Sequence, residues 1–380
     1  MSEDRGTRNR GAAEVNQGGS TLGRMVREAG GALVFPLLAI LLAFVIGAVI
    51  VLATGNNPAT AFESLVVGAI GSPLAIGRTV LNATPLIFTG LAVAVAFRAG
   101  LFNIGGEGQV FIGAITAAGL GVALGFLGPL GTLLVLLACI LTGFLWGAIP
   151  GFLKAYFGAH EVITTIMLNF IAIDLATYLA LHPLSGGGLV PGTATIDPAA
   201  RIPTLSLSLG RANYGFFLAL LAAVAVYLLL WRTKRGFELR AVGLSPGAAN
   251  YAGMRIGLNT VLALAIGGAL AALGGGVEVL GVYGKMTIPF ASNLGFNGIG
   301  VALLGRNHPV GVVLGALLFG GLASGAEEMQ FSTNVPLDLT DVLLAVILLL
   351  VTATRLVELI VGKRARVLAS GTHLEKGLGQ

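Results

Sequence analysis

Ten long apolar runs, separated by short polar connections, leave this chain very few folds. They cover Ala32–Thr54, Thr79–Phe97, Gln109–Phe126, Leu130–Leu153, Val162–Leu181, Tyr214–Trp231, Leu258–Tyr283, Phe290–Gly305, Val310–Ala326 and Leu339–Ile360. A helix that crosses a bilayer needs about 20 consecutive apolar residues, and all but Phe290–Gly305 come near that length. Hydrocarbon tolerates only helices and closed barrels, because every backbone N–H and C=O must be satisfied without water. The runs therefore predict an all-α fold, a polytopic transmembrane bundle of about ten helices. With 56% hydrophobic residues in 380, a soluble domain would have no place to hide its apolar surface.

Charge supplies the orientation. A net charge of +5 would point a soluble chain toward nucleic acid, but here Lys and Arg gather between the runs, as the positive-inside rule requires, and no nucleic-acid partner is expected. Placing the N-terminus, the loop Arg232–Arg255 and the tail Lys363–Arg366 in the cytoplasm puts 18 Lys and Arg inside and 4 (Arg78, Arg201, Arg211, Lys285) outside. That parity requires Phe290–Gly305 to cross, although as a straight helix it would span only about 24 Å of a roughly 30 Å core. Gly295, Gly298 and Gly300 interrupt this run, so a broken or tilted helix is expected there. The domain reading is a disordered cytoplasmic tail at residues 1–30, a transmembrane domain at 31–362 with a cytoplasmic loop at 232–257, and a cytoplasmic tail at 363–380. The loop from His182 to Asn213 is the longest connection on the outer side and the expected contact for an outside partner.

Several chemistries have no footing in the sequence. Gly284-Lys285 is followed by Met286 and Gly362-Lys363 by Arg364, so neither Gly-Lys pair forms a phosphate loop. A Gly-x-Ser-x-Gly elbow and a His-Glu-x-x-His zinc motif are also missing, and the single Cys139 allows no internal disulfide. No enzymatic role, metal site or cofactor on this chain is expected.

Polar groups inside apolar runs are costly in hydrocarbon and usually face a bundle interior or a water-filled path. Glu161, Thr165 and Asn169 recur every four residues and share one helical face; they either line a pathway or hydrogen-bond between helices. Asp174 in the same run and Glu278 near Gly276 are intramembrane charges, functional or paired with a neighbouring helix. The stretch Phe102-Asn103-Ile-Gly-Gly-Glu107-Gly-Gln109 combines glycines with polar side chains where an apolar run begins, which suits an unwound or capped helix entry. Gly295-Phe296-Asn297-Gly298 places an amide between glycines. Two such interruptions point to a pathway lined by Asn103, Glu107, Gln109, Thr165, Asn169, Phe296 and Asn297. The pairs Gly311/Gly315 and Gly321/Gly325, with Gly267, Gly268 and Gly274–Gly276, are read as close helix packing.

Taken together, Leu101–Gln109, Glu161–Asn169, Gly295–Pro309 and the basic loop resemble the permease subunits of ATP-binding-cassette importers. The branch is the one for simple sugars and nucleosides, which works with binding proteins of the basic membrane protein family. In such importers the loop that meets the ATPase is similar to Glu-Ala-Ala-x-x-x-Gly. Ala248-Ala249-Asn-Tyr-Ala-Gly253 fits it, with Gly247 standing where the pattern has Glu. The resemblance implies ATPase coupling through Arg240, Ala248, Ala249, Gly253 and Arg255, small residues seating in a cleft and arginines pairing with its acidic rim. It implies four partners: a cytoplasmic ATPase that uses ATP and magnesium, a second permease, an extracytoplasmic solute-binding protein and the bilayer of a bacterial plasma membrane. Nucleosides are the implied solute, with monosaccharides or branched-chain amino acids as the alternative within the class. An ion-coupled secondary transporter, which would show inverted repeats, is the alternative outside it.

Overall fold

A computed structural model describes residues 41–53, 55–290, 293–333, 335–339, 341–342, 345–346 and 349. Both expected tails, and most of the run Leu339–Ile360, lie outside the described residues. Contacts divide the chain into one unit of residues 50–344 and a second of residues 1–49 with 345–380. The helix Leu41–Ala53 straddles the boundary, and the described helices after Ala53 and before Asp341 lie in the first unit.

Among the described residues twelve α-helices follow in order: α1 (Leu41–Ala53), α2 (Pro58–Ile70), α3 (Pro73–Arg98), α4 (Gly106–Ala123), α5 (Pro129–Phe157), α6 (Glu161–Leu181), α7 (Gly215–Arg232), α8 (Lys234–Leu244), α9 (Pro246–Tyr251), α10 (Ile256–Glu278), α11 (Leu294–Leu304) and α12 (Pro309–Thr333). Six helical segments have the length and apolar composition of a membrane span: α3, α5, α6, α7, α10 with its following turn, and α12. The expectation of about ten helices of crossing length is thus met in six places among the described residues.

Two of the other runs, Ala32–Thr54 and Leu339–Ile360, lie partly outside the described residues; local chemistry shapes what remains. Asn57 accepts a bond from the Ala59 N–H at 2.9 Å and Pro58 opens the first turn, so α2 forms where no long apolar run exists. Residues 284–288 are drawn into the loop that follows α6: Gly284 and Met286 accept bonds from the Ile196 and Thr193 N–H groups, and the Ile288 N–H donates to the Pro191 carbonyl. Helix α11 therefore starts at Leu294 and spans about 16 Å, half of a hydrocarbon core.

The core sits around α3 and α10, whose residues from Ala83 to Ala96 and from Ala263 to Glu278 are almost all buried. Small residues let the neighbours in. A side chain on Gly268 would overlap the Gly143 carbonyl of α5, and one on Gly325 would overlap the Leu65 carbonyl of α2; at these contacts the glycines pack as the sequence suggests.

Two ends of the bundle can be distinguished. At one end α3 begins, with Gly77 against Leu209 of the long loop. At the other α3 finishes, with Gly100 against Gly243 of α8. The chain from Gly284 to Asn307 runs between these same two ends, since Gly284 joins the long loop while Asn307 meets Arg98.

Candidate functional site

The α4 entry and α11 form one hydrogen-bonded knot. Asn103 Nδ2 donates to Gln109 Oε1 at 3.2 Å, and Asn103 Oδ1 accepts from the Gly105 N–H at 3.0 Å. Asn169 reaches across from α6, its Oδ1 accepting from the Gly108 N–H at 2.8 Å and its Nδ2 donating to the Ile104 carbonyl at 2.9 Å. Thr165 Oγ1 donates back to the Glu161 carbonyl at 2.7 Å, and Glu161 is itself paired with Lys154 at 2.6 Å. Glu107 lies at the centre of this knot. Its two carboxylate oxygens accept the Asn293 and Gly295 N–H groups, each at 2.7 Å, and so cap the N-terminus of α11. A carboxylate there is favoured by the helix dipole and satisfies amides that have no partner within the helix.

Five of the seven expected pathway residues (Asn103, Glu107, Gln109, Thr165, Asn169) come together in this way. All are buried, the most exposed being Asn169 at 3%. Their polar atoms are committed to backbone and to one another, which fixes the broken entry of α4. Phe296 is 45% exposed and Asn297 half-buried, so these two present the open face of α11. Asp174 is also exposed. It stands opposite the buried stripe Glu161, Thr165, Asn169, Ala172, Ala176 and Ala180 of α6, one turn from the exposed Phe170 and Tyr178. Glu278 is buried near the other end of α10. No cluster of three or more His, Cys, Asp and Glu among the described residues is placed to hold a metal.

The loop Arg232–Arg255 is two short helices. Thr233 Oγ1 accepts the Gly236 N–H at 3.1 Å to start α8, and Ser245 with Pro246 at the first position starts α9. Of the expected coupling residues, Ala248, Gly253 and Arg255 are exposed, while Ala249 is buried at 3% against the rest of the chain. Arg240 is half-buried and lies over the Trp231 ring at 5.7 Å. Leu244 and Tyr251, 88% and 97% exposed, flank the small residues and escaped the sequence reading, which weighed charge and smallness but not isolated apolar side chains. Beside them is a cleft of about 270 Å³ lined by Lys234, Arg235, Glu238, Gly253 and Arg255.

A second group escaped the sequence reading entirely. The Arg98 guanidinium, at the end of α3, donates from Nε to the Asn307 carbonyl at 2.9 Å and from Nη2 to the Arg306 carbonyl at 3.2 Å. It also lies 5.3 Å from the Trp231 ring centre, and His308 packs on the same ring at 4.9 Å.

Six helices of crossing length among the described residues mark a multi-pass membrane protein, and comparison with known proteins gives its class. Residues 75–352 match the family described as the permease component of the branched-chain amino acid transport system, and the chain belongs to that family. It is similar to a guanosine ABC transporter permease of Bacillus subtilis, 41% identical over 87% of this chain and 96% of that one. A nucleoside ABC transporter permease of Lactococcus lactis is 36% identical over 90% and 96%. A glucose ABC transporter permease of Haloferax volcanii is 37% identical over 83% and 85%. No solved structure matches the chain.

Proposed function

We propose that this chain is the permease subunit of an ATP-binding-cassette importer for nucleosides. The observation that carries the reading is the similarity, over nearly the whole of both chains, to permeases named for guanosine and for nucleosides. The glucose permease at 37% identity supports monosaccharides as the second reading. The chain works without catalysis of its own, beside a cytoplasmic ATPase that consumes ATP and magnesium, a second permease and an extracytoplasmic binding protein, in a bacterial plasma membrane. It crosses that membrane ten times, the segment 284–307 supplying one crossing in which the half-helix α11 covers about half the depth.

The solute passes along the open faces of α6 and α11, past Asp174, Phe296 and Asn297. The support is energetic: Asp174 lies about 20 Å along α6 from its start and about 10 Å from its end, too deep for so short a side chain to reach headgroups. A carboxylate on a lipid-facing surface at depth costs about 3 kcal/mol. A water-filled path shared with the second permease removes that cost. The polar knot behind it (Asn103, Glu107, Gln109, Thr165, Asn169) positions α11 rather than touching solute. On the cytoplasmic side Ala248, Gly253 and Arg255, with the exposed Leu244 and Tyr251, form the surface that seats in the ATPase, and the buried Ala249 supports α9 from behind.

Uptake of labelled guanosine in cells carrying the whole transporter tests the substrate. Excess uridine is expected to compete, and glucose and leucine to leave uptake unchanged. Competition by glucose without competition by nucleosides would move the assignment to sugars.

A further inference from the structure

We infer that Arg98 is the positioning residue through which α8 moves the α11–α12 turn, making the cluster Arg98, Trp231 and Arg240 the joint between ATPase and pathway. The inference rests on the reading of α8 and α9 as the ATPase-facing surface.

Four elements meet at this cluster. From α3 comes Arg98; from α7, Trp231; from α8, Arg240; and from the turn between α11 and α12, the carbonyls of Arg306 and Asn307. Helix α8 is also pressed onto the end of α3 at Gly243, where a side chain would overlap the Arg98 carbonyl and the backbone of Ala99. A displacement of α8 must therefore carry the Arg98 backbone with it, and the guanidinium carries the turn.

The turn is built to be gripped from outside. Arg306 and Asn307 both adopt left-handed backbone, at φ 53° and 54°, a region that residues other than glycine seldom enter. Two consecutive residues in that region persist only where neighbours hold them. Their two carbonyls face the fork of Arg98, and a guanidinium is the side chain whose planar donors can hold two acceptors at once.

Arg240 is the movable member. It makes a cation–π approach to Trp231 while its Nε is buried with no hydrogen-bond partner. Asn307 Oδ1, on the gripped turn, is likewise buried and unpartnered. Buried polar atoms left unsatisfied are costly, so in this arrangement the joint holds two groups that gain by rearranging. A second packing of the same side chains is within reach when α8 shifts, as a bistable contact requires.

The experiment is a coupling measurement on the complete transporter reconstituted with its ATPase and binding protein, reading ATP hydrolysed and nucleoside transported in the same vesicles. In Arg98→Lys, which keeps the charge but loses the fork, and in Trp231→Leu, the complex is expected to assemble and hydrolyse ATP at its unstimulated rate. Nucleoside moved per ATP should fall at least tenfold. Trp231→Phe should restore most of the coupling, because the ring face remains. Asn307→Gly keeps both the left-handed backbone and the gripped carbonyl and removes only the unpartnered Oδ1, so it should couple far better than Arg98→Lys. An unchanged ratio in both Arg98→Lys and Trp231→Leu overturns the inference. So does a fall of hydrolysis and uptake in step with the amount of assembled complex, which marks a merely structural role. A complex that transports no nucleoside even as wild type, yet couples another solute through the same residues, refutes the substrate reading and leaves this one standing.

Discussion

Helix α11 is held at both ends by a charged side chain from a distant part of the chain, and the two holds differ in kind. At its N-terminus the Glu107 carboxylate accepts backbone N–H groups; beyond its C-terminus the Arg98 guanidinium donates to backbone carbonyls. Each sign suits the helix dipole at its end. Glu107, however, is buried at 2% within a knot whose polar atoms are committed to one another. Arg98 is only partly enclosed and touches α8, which leads to the exposed surface of α9. The same half-helix therefore has a fixed end and a driven end. A short helix pivoted in this way swings its open face, Phe296 and Asn297, without unpacking the core.

The largest effect should come from breaking the fixed end. In Glu107→Leu the buried Gly295 N–H loses its acceptor, at about 1–3 kcal/mol, the part-buried Asn293 N–H loses its own at less, and α11 loses its cap. Uptake should fall to background with a drop in folded protein. Glu107→Gln keeps one acceptor oxygen and turns an amide NH2 toward the second N–H, so roughly half of that loss is expected. Thermal unfolding in detergent, read beside uptake, checks both. A Glu107→Leu variant as stable and active as the wild type would remove the pivot from the account.

A smaller effect separates the two ends by glycine. Gly295 packs against the backbone of Gly106 and Glu107, so that a methyl group there would overlap main chain, whereas Gly247 on α9 has open space around it. Gly295→Ala should destabilise by about 1–3 kcal/mol, the usual cost of forcing atoms into a packed contact. Gly247→Ala should leave stability within about 0.5 kcal/mol, as expected for a surface position, and change only the fit to the ATPase. Equal destabilisation by both would mean that α9 is packed as tightly as α11.

How much of this was legible follows from the range of the interactions. The apolar runs marked all six spanning helices, because hydrophobic length is a local property. The run at Phe290–Gly305 and the segment Phe102–Gln109 were recognisable as interruptions, since glycines beside polar residues cannot make an ordinary span. What the sequence could not show is that Glu107 and Gly295 are each other's reason: nothing in local spacing records a bond between residues 188 apart. Arg98 was invisible for the same cause and read as one more positive-inside charge. Helix α2 was legible in principle through Asn57-Pro58, a capping pair, but was overlooked because no long apolar run followed. Ala249 shows the limit of motif reasoning: small residues at motif spacing were read as one docking face, while α9 turns Ala249 inward and Ala248 outward.

The smallest effect concerns pH at the driven end. His308 precedes α12, its Nδ1 accepting the Val310 N–H at 3.3 Å, and it packs on Trp231 beside Arg98. Burial, and then the Arg98 cation, hold its imidazole below the usual histidine range. The lowered value fixes the sign. Above the ordinary value of about 6.5 histidine is neutral in both the packed and the unpacked state, and this contact is at full strength. As pH falls through 6.5 toward the lowered value, the unpacked state takes up protons first and the contact weakens. Protonation would also remove the Nδ1 acceptor and set a cation at a helix N-terminus, where the dipole opposes it. Between about pH 7 and 5.5, wild-type uptake should therefore fall by roughly a further twofold relative to His308→Asn, which caps a helix without titrating. Assembly with the ATPase should not change, because Glu107 and the packed core hold the other end. Parallel pH profiles for the two proteins would show that the turn at Arg306–His308 is as rigid as the knot at Glu107, and the distinction between a fixed and a driven end would be lost.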